Sequence, residues 1–174
     1  MQSRLPLPAP EQMTPEQRVI RDSILSTRGN LDGPFLAWLH SPGLAAPAQQ
    51  LGAFCRYGTS LSLQESELLI LCVSAHHACV GERQIHEPIA LRAGLPQAAV
   101  DAIRAGGVPP LDDPRQRLLH ALALQLLRTN RIDADTFDTA RATFGDAGLV
   151  EVVGIIGYYA LVAHTLNAFE MQTP

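Results

Sequence analysis

The apolar residues of this chain recur at helical spacing, and no stretch alternates convincingly at the period of a strand. Helix starts, glycine stops and proline breaks divide the pattern into successive segments. The predicted helices cover about 15–27, two short pieces within 31–57 that are separated by the turn at 41–43, a helix that begins after Ser62, and then 80–93, 97–105, 114–128, 133–144 and 147–168. The pattern therefore predicts an all-α protein.

Two of these helices have particularly clear starts. Thr14 followed by Gln17, and Ser62 followed by Glu65, are the spacings of capping boxes. The helix after Ser62 continues into an apolar run at 68–73 and has no polar face, so we expect it to be buried on all sides. A charged residue in such a helix must find a partner, and Glu67 is that residue.

Prolines predict two further features. Pro6, Pro8 and Pro10 alternate, which blocks a helix and favours an extended arm over 1–13, leaving 14–174 as a single helical domain. The arm either lies on a neighbouring subunit or is free, and the sequence does not choose. Pro88 falls inside the helix at 80–93, where we expect a kink or a break.

Composition narrows the class of protein. With 174 residues, 47% of them hydrophobic and only 17% charged, the chain fits one globular domain and excludes bulk disorder. The apolar surplus favours surface that is covered by another subunit, so we expect a homo-oligomer. The net charge of −4 and the dispersed arginines argue against a nucleic-acid partner.

The length of the apolar runs and the number of cysteines bear on the location of the protein. The uncharged run at 152–163 is short of the ~20 residues that a membrane span requires, so no membrane partner is predicted. Three cysteines, an odd number without the spacing of a secreted disulfide scaffold, favour the reducing cytoplasm. We expect Cys55 and Cys72, which fall on apolar faces, to be core residues.

Candidate chemistry is concentrated between Glu67 and Gly94. Glu82 and His86 are four residues apart and so share one helix face. Cys79 lies near the start of the same helix, where backbone amides and the helix dipole would lower the pKa of a thiol. His86 could exchange a proton with that thiol, directly or through water.

These residues resemble the carboxymuconolactone decarboxylase-like family, which includes the alkylhydroperoxidase D (AhpD) proteins. In the redox branch of that family a Glu precedes a Cys-x-x-Cys pair and a His, at the spacing of Glu67, Cys79, Glu82 and His86, so that Glu82 stands where the second Cys would be. In many non-redox members the pattern is similar to Glu82, His86, Ala90 and Gly94. Segments 56–71 and 158–170 are also similar, and the resemblance covers about 30–170.

The resemblance implies an all-α, AhpD-like helical bundle that assembles into trimers or hexamers. It implies two chemistries, and the missing second Cys favours the one without a dithiol cycle, since such a cycle needs two thiols within bonding reach. The preferred hypothesis is therefore cofactor-free acid–base chemistry, a decarboxylation or an isomerisation or hydrolysis, on a small carboxylate or lactone. The first alternative is a thiol-dependent peroxidase that uses Cys79, and the second is a non-catalytic oligomer that binds a small molecule.

In the preferred hypothesis His86 transfers the proton, and either Glu82 or Glu67 orients it. Arg56 would hold the carboxylate of the substrate, and His76 is a second candidate for substrate binding. His76 and His77 could instead join Glu82 and His86 as metal ligands, although we expect no metal and no other cofactor. The adjacent Tyr158 and Tyr159 are expected to pack rather than react.

Overall fold

The computed structural model describes residues 1–173, and its regular elements within that range are helices. They are α1 (Pro15–Arg28), α2 (Phe35–Trp38), α3 (Pro42–Tyr57), α4 (Leu63–His76), α5 (Val80–Arg92), α6 (Gln97–Arg104), α7 (Pro114–Thr129) and α8 (Ala134–Ala168), preceded by a 3-10 turn at Pro10–Gln12. The prediction of an all-α fold is confirmed.

Helix α4 lies at the centre of the molecule. It packs against α5, α6, α7 and α8, and every residue from 65 to 74 is buried. Leu68, Leu69 and Ile70 are completely inaccessible to solvent. Each such side chain stabilises the fold by about 1.5–3 kcal/mol. The uniformly apolar run thus produces the predicted central helix, and it carries Glu67 into the core.

The two predicted capping boxes form. The Thr14 hydroxyl accepts a hydrogen bond from the Gln17 backbone N–H at 3.2 Å, and the Gln17 side chain accepts one from the Thr14 N–H at 2.9 Å. Ser62 and Glu65 make the same pair of bonds at the start of α4. Caps of this kind contribute about 1 kcal/mol each, and the second one fixes where α4 begins.

A tight turn over residues 77–79 connects α4 to α5. Ala78 adopts a left-handed conformation with φ of 49°, and the Cys79 N–H donates to the Ser74 carbonyl at 2.9 Å. From α8, the Asn167 side chain donates to the His77 carbonyl at 2.7 Å. The turn is therefore held by both helices that flank it and by α8, which fixes the direction in which α5 leaves.

Helix α5 continues through Pro88, so of the predicted kink or break, the break is not formed. A proline inside a helix removes one backbone hydrogen bond and costs about 3 kcal/mol. Packing of α5 against α4, α6 and α8 offsets that cost. The continuous helix keeps His86 in register with the start of α5.

Helix α8 contains the interruption that the sequence predicts. Gly145 has φ of 70° and ψ of 172°, outside the helical region, so the element consists of two helical segments, 134–144 and 146–168. By length and composition α8 is apolar enough to cross a membrane, but 56% of its most apolar 18-residue stretch is buried inside the fold. It packs on α3, α4, α5 and α7 and is a core helix.

The proline-rich arm lies on the C-terminal segment of its own chain. Gln2 and Gln172 form an isolated antiparallel bridge, and the Arg4 N–H donates to the Phe169 carbonyl at 2.9 Å. The Arg4 guanidinium also pairs with Glu170 at 3.1 Å. Of the two arrangements left open by the sequence, these intramolecular contacts exclude the free arm.

Candidate functional site

A buried carboxylate–imidazole pair joins the two helices at the centre of the fold. His86 Nδ1 on α5 lies 2.8 Å from Glu67 Oε2 on α4, and the two side chains are 6% and 0% exposed. A carboxylate on one ring nitrogen fixes the tautomer and orientation of the imidazole, as it does in many acid–base and metal sites. When Nδ1 donates to Glu67, Nε2 carries the lone pair that can accept a proton.

His86 opens onto a small cavity with a cationic wall. The cavity has a volume of about 30 Å³, and its lining includes Arg28, Arg56, Tyr158 and Tyr159, with one carboxylate, Asp32. The Nε atoms of both arginines are buried and have no hydrogen-bond partner among residues 1–173. Two guanidinium groups with unsatisfied donors beside an imidazole form an environment suited to a small anion.

The two tyrosines form the aromatic side of the cavity. The Tyr159 ring lies edge-to-face against His86, with centroids 5.2 Å apart, and Tyr158 packs in the same way on Tyr159. Burial raises the pKa of Tyr158 to about 12 and that of Tyr159 well above its usual range. Both phenols therefore stay neutral at physiological pH and can donate hydrogen bonds.

Gly52 on α3 allows this side of the cavity to close. A Cβ at this position would collide with the Tyr158 hydroxyl and would lie 2.9 Å from Arg28 Nη2. Only glycine permits α3 to approach Tyr158 so closely. The position of Arg28 at the cavity thus depends on a residue in a different helix.

Glu82 lies in the same buried cluster but differs from Glu67 in its hydrogen bonding. Neither of its carboxyl oxygens has a hydrogen-bond partner among the described residues, and its side chain is almost completely buried. Burial, and secondly the negative charge of Glu67, raise the pKa of Glu82 well above its usual range. Glu82 and Glu67 were the two candidates for the residue that orients His86. Glu67 is the hydrogen-bond partner of His86, and Glu82 favours the protonated form.

Cys79 is the N-cap residue of α5 and does not have the expected character of a reactive thiol. The side chain is 1% exposed, and burial raises its pKa to about 11. The backbone amides at the helix start favour the thiolate, but desolvation outweighs them, so the predicted lowering is wrong. Cys55 and Cys72 are buried as predicted, and all three thiols are free.

The structure does not bring His76, which the sequence predicts to bind substrate, to the cavity beside His86. It follows Glu67 by nine residues on the same helix, which at 3.6 residues per turn places it on roughly the opposite face. The residues named above as possible metal ligands do not form a metal-binding cluster either. His77 packs against His76 and His164, and among residues 1–173 no three His, Cys, Asp or Glu side chains have the arrangement of a metal site.

Sequence reasoning missed Arg28 and the role of the tyrosine pair in lining the cavity. Arg28 is the last residue of α1, where a basic side chain is ordinarily explained by the helix dipole. Its position beside Arg56 follows from the packing of α1 on α3. No local signal in the sequence distinguishes it from the other helix-end arginines.

Several solved structures share this fold over nearly their whole length. A peroxidase-related protein from Ralstonia eutropha JMP134, described as an alkylhydroperoxidase AhpD core, superposes with a TM-score of 0.83 at 19% identity, covering 99% of this chain and 92% of that one. A peroxidase-related protein from Silicibacter sp. TM1040 gives 0.80 at 17% identity, with 98% and 91% covered. The debrominase Bmp8 gives 0.77 at 16% identity, with 98% and 92% covered.

No protein-family model and no curated protein matches the sequence. The fold of this chain is that of the AhpD-like all-α proteins, as the resemblance of its central motif predicted. At this level of identity the similarity establishes the fold alone, so the chemistry must be argued from the residues of the cavity.

Proposed function

We propose that the protein catalyses cofactor-free proton transfer on a small carboxylate or lactone, in a decarboxylation, isomerisation or hydrolysis. The observation that carries this proposal is the buried Glu67–His86 pair, 2.8 Å apart, at a cavity that is also lined by Arg28 and Arg56. A proton carrier, an anion clamp and exclusion of water are the requirements of such a reaction.

Each residue has a role in the proposed chemistry. The arginines hold the carboxylate of the substrate, while His86 exchanges a proton through Nε2 and Glu67 stabilises the imidazolium that forms. In a decarboxylation the C–C bond to the leaving carboxylate breaks, its electron pair stays on the substrate carbon, and CO₂ departs. The electron pair left on that carbon then takes the proton from the His86 imidazolium, so that a C–H bond replaces the C–C bond and His86 returns to its neutral form. The neutral Tyr158 and Tyr159 hydroxyls are available to hydrogen-bond a developing oxyanion.

The structural neighbours support a site for a small molecule, but they differ in the chemistry that they suggest. A cysteine-to-alanine variant of the debrominase Bmp8 has been solved in complex with 2,3,4-tribromopyrrole, and that structure has 16% identity to this chain. The peroxidase-related neighbours fit the thiol alternative. Against that alternative, Glu82 replaces the second Cys of the redox motif, and burial raises the pKa of Cys79 to about 11.

One experiment separates the three hypotheses. Purified protein is screened with small carboxylates and lactones by NMR, and in parallel with hydroperoxide and a dithiol donor. The variants are His86→Gln, Cys79→Ser and, as a control, His40→Gln, since His40 is exposed and bonds only to the Pro6 carbonyl among the described residues. For acid–base turnover we expect His86→Gln to lose about 10²–10⁴-fold and the other two to retain activity.

Three results would reject the proposal. Peroxide consumption that is lost in Cys79→Ser, with a sulfenic acid on Cys79 detected by mass spectrometry, would identify a peroxidase. Saturable binding of a carboxylate without turnover would identify a binding protein instead. Full activity in His86→Gln on any substrate that is found would exclude the assigned proton carrier.

The proposed assembly is a homo-oligomer, a trimer or hexamer, formed through an apolar surface that we name the α3–α8 face. This face consists of Leu51 and Phe54 on α3 with Val150, Val153 and Gly154 on α8. Its four large side chains are 41–71% exposed. An open apolar groove of about 550 Å³ runs between the two helices. Exposed apolar groups at this density are typical of subunit contacts.

The reducing cytoplasm is the proposed compartment, in keeping with three free thiols.

A further inference from the structure

A second cavity lies on the side of α4 opposite to Glu67. Its volume is about 70 Å³, larger than that of the cavity beside His86, and it lies between α4, α7 and the end of α6, partly open to solvent. Cys72, Ile103 and Leu124 contribute its apolar walls. A space of this size accommodates a small polyatomic ion or a few waters.

Three nitrogen-bearing side chains converge on this cavity. They are His76 on α4, with His120 and Arg128 on α7; His76 and Arg128 are exposed and His120 is buried. No carboxylate is among the described residues that line the cavity. None of the three takes part in an ion pair among residues 1–173. The region therefore holds a permanent guanidinium charge and imidazole N–H donors without a carboxylate to neutralise them.

His120 is the most buried of the three. Its side chain lies almost completely within the protein, and burial, followed by the charge of Arg128, lowers its pKa. A negative charge in the cavity would act in the opposite direction, because it stabilises the protonated ring. An anion bound here would therefore offset the unfavourable electrostatics between the guanidinium and the imidazole.

We propose that this cavity is a binding site for a small oxyanion, a carboxylate or a phosphate, which accepts hydrogen bonds from Arg128, His120 and His76. Arg128 supplies the charge and a planar pair of N–H donors, which match two oxygens of either group. The apolar walls favour an ion that carries little or no further polar substituent. The site is separate from the Glu67–His86 cavity and does not depend on the function proposed for it.

The test is titration of the full-length protein with inorganic phosphate and with acetate at constant ionic strength, maintained with chloride. Binding is followed by the imidazole NMR resonances of His76, His120 and His86. We expect saturable shifts of His76 and His120 with at least one of the two anions. Arg128→Gln should weaken binding about tenfold or more, because it removes a charge-assisted hydrogen bond.

Arg131→Gln is the matched control, since Arg131 is exposed and follows α7, and the substitution removes the same charge outside the cavity. It should leave the affinity within about twofold, as expected for a screened surface charge. A response to phosphate alone, to acetate alone or to both supports the site and identifies the class of anion. The proposal is overturned if neither anion shifts His76 and His120, or if both arginine variants weaken binding equally. A folded His120→Gln variant with unchanged affinity would also overturn it.

Discussion

At the scale of single residues, the two buried acids of the site, Glu67 and Glu82, should respond differently to replacement by glutamine. Glu67 accepts a hydrogen bond from His86 and would stabilise its positive charge, whereas burial raises the pKa of Glu82 so that it favours the neutral acid. Glutamine resembles a neutral carboxylic acid in shape and charge. We therefore expect Glu67→Gln to lower kcat on the identified substrate about 10²-fold and Glu82→Gln to change it little. Equal losses in the two variants would contradict this division of roles.

Glu82 also predicts the pH dependence of stability. Its pKa is higher in the folded state than in the unfolded chain, where it is about 4.3. Between these two values the folded protein holds a proton that the unfolded chain has lost, so the free energy of unfolding falls as pH rises. Urea titrations at a series of pH values above about 4.3 should show this decline in the wild type. The decline should be weaker in Glu82→Gln, and identical pH profiles would disprove the contribution.

The left-handed Ala78 is a local source of strain. This conformation costs an L-residue with a Cβ about 1–2 kcal/mol, whereas glycine adopts it freely. After allowing for the greater flexibility of glycine in the unfolded chain, Ala78→Gly should raise the free energy of unfolding by about 0.5–1 kcal/mol. Ala75→Gly, three residues earlier in α4, is the control and should lower it by a similar amount. Chemical denaturation measures both, and destabilisation by Ala78→Gly would refute the argument.

At the scale of elements, the approach of α3 to α8 depends on Gly52. An added Cβ would collide with the Tyr158 hydroxyl and press on Arg28, so Gly52→Ala should cost about 1–3 kcal/mol of stability. It should also alter the near-UV circular dichroism of the tyrosines. Gly43→Ala lies in the same helix with nothing within 4 Å of the new Cβ, and it should be neutral or slightly stabilising. Equal thermal unfolding midpoints for the two variants would contradict the predicted contact.

The elements also show which features a sequence can predict. Thr14, Ser62 and Gly145 act on their immediate neighbours, so the helix starts and the interruption of α8 follow from local rules. The pairing of Glu67 with His86 is one of two options, and the choice depends on how α4 and α5 pack against each other. The thiol of Cys79 was misjudged because its desolvation depends on packing from the rest of the fold. Arg28 was missed for the same reason.

At the scale of the whole molecule, the α3–α8 face predicts the effect of surface charge on assembly. Val150 is 71% exposed on this face, and Val19 is 70% exposed on α1, outside it. We expect Val150→Glu to shift the proposed oligomer toward monomer in analytical ultracentrifugation, because it would place a carboxylate in an apolar contact. Val19→Glu should leave the assembly unchanged. Wild-type protein that sediments as a monomer would exclude the proposed interface.

The size of the cavity beside His86 has a thermodynamic consequence. A volume of about 30 Å³ holds about two water molecules, so the small carboxylate or lactone proposed as substrate would require a more open conformer than this one. The apparent dissociation constant then equals the intrinsic one divided by the fraction of molecules that are open. Variants that favour the open conformer would bind more tightly without making a new contact. The affinity for the proposed substrate would then be set by a population as well as by the residues that touch it.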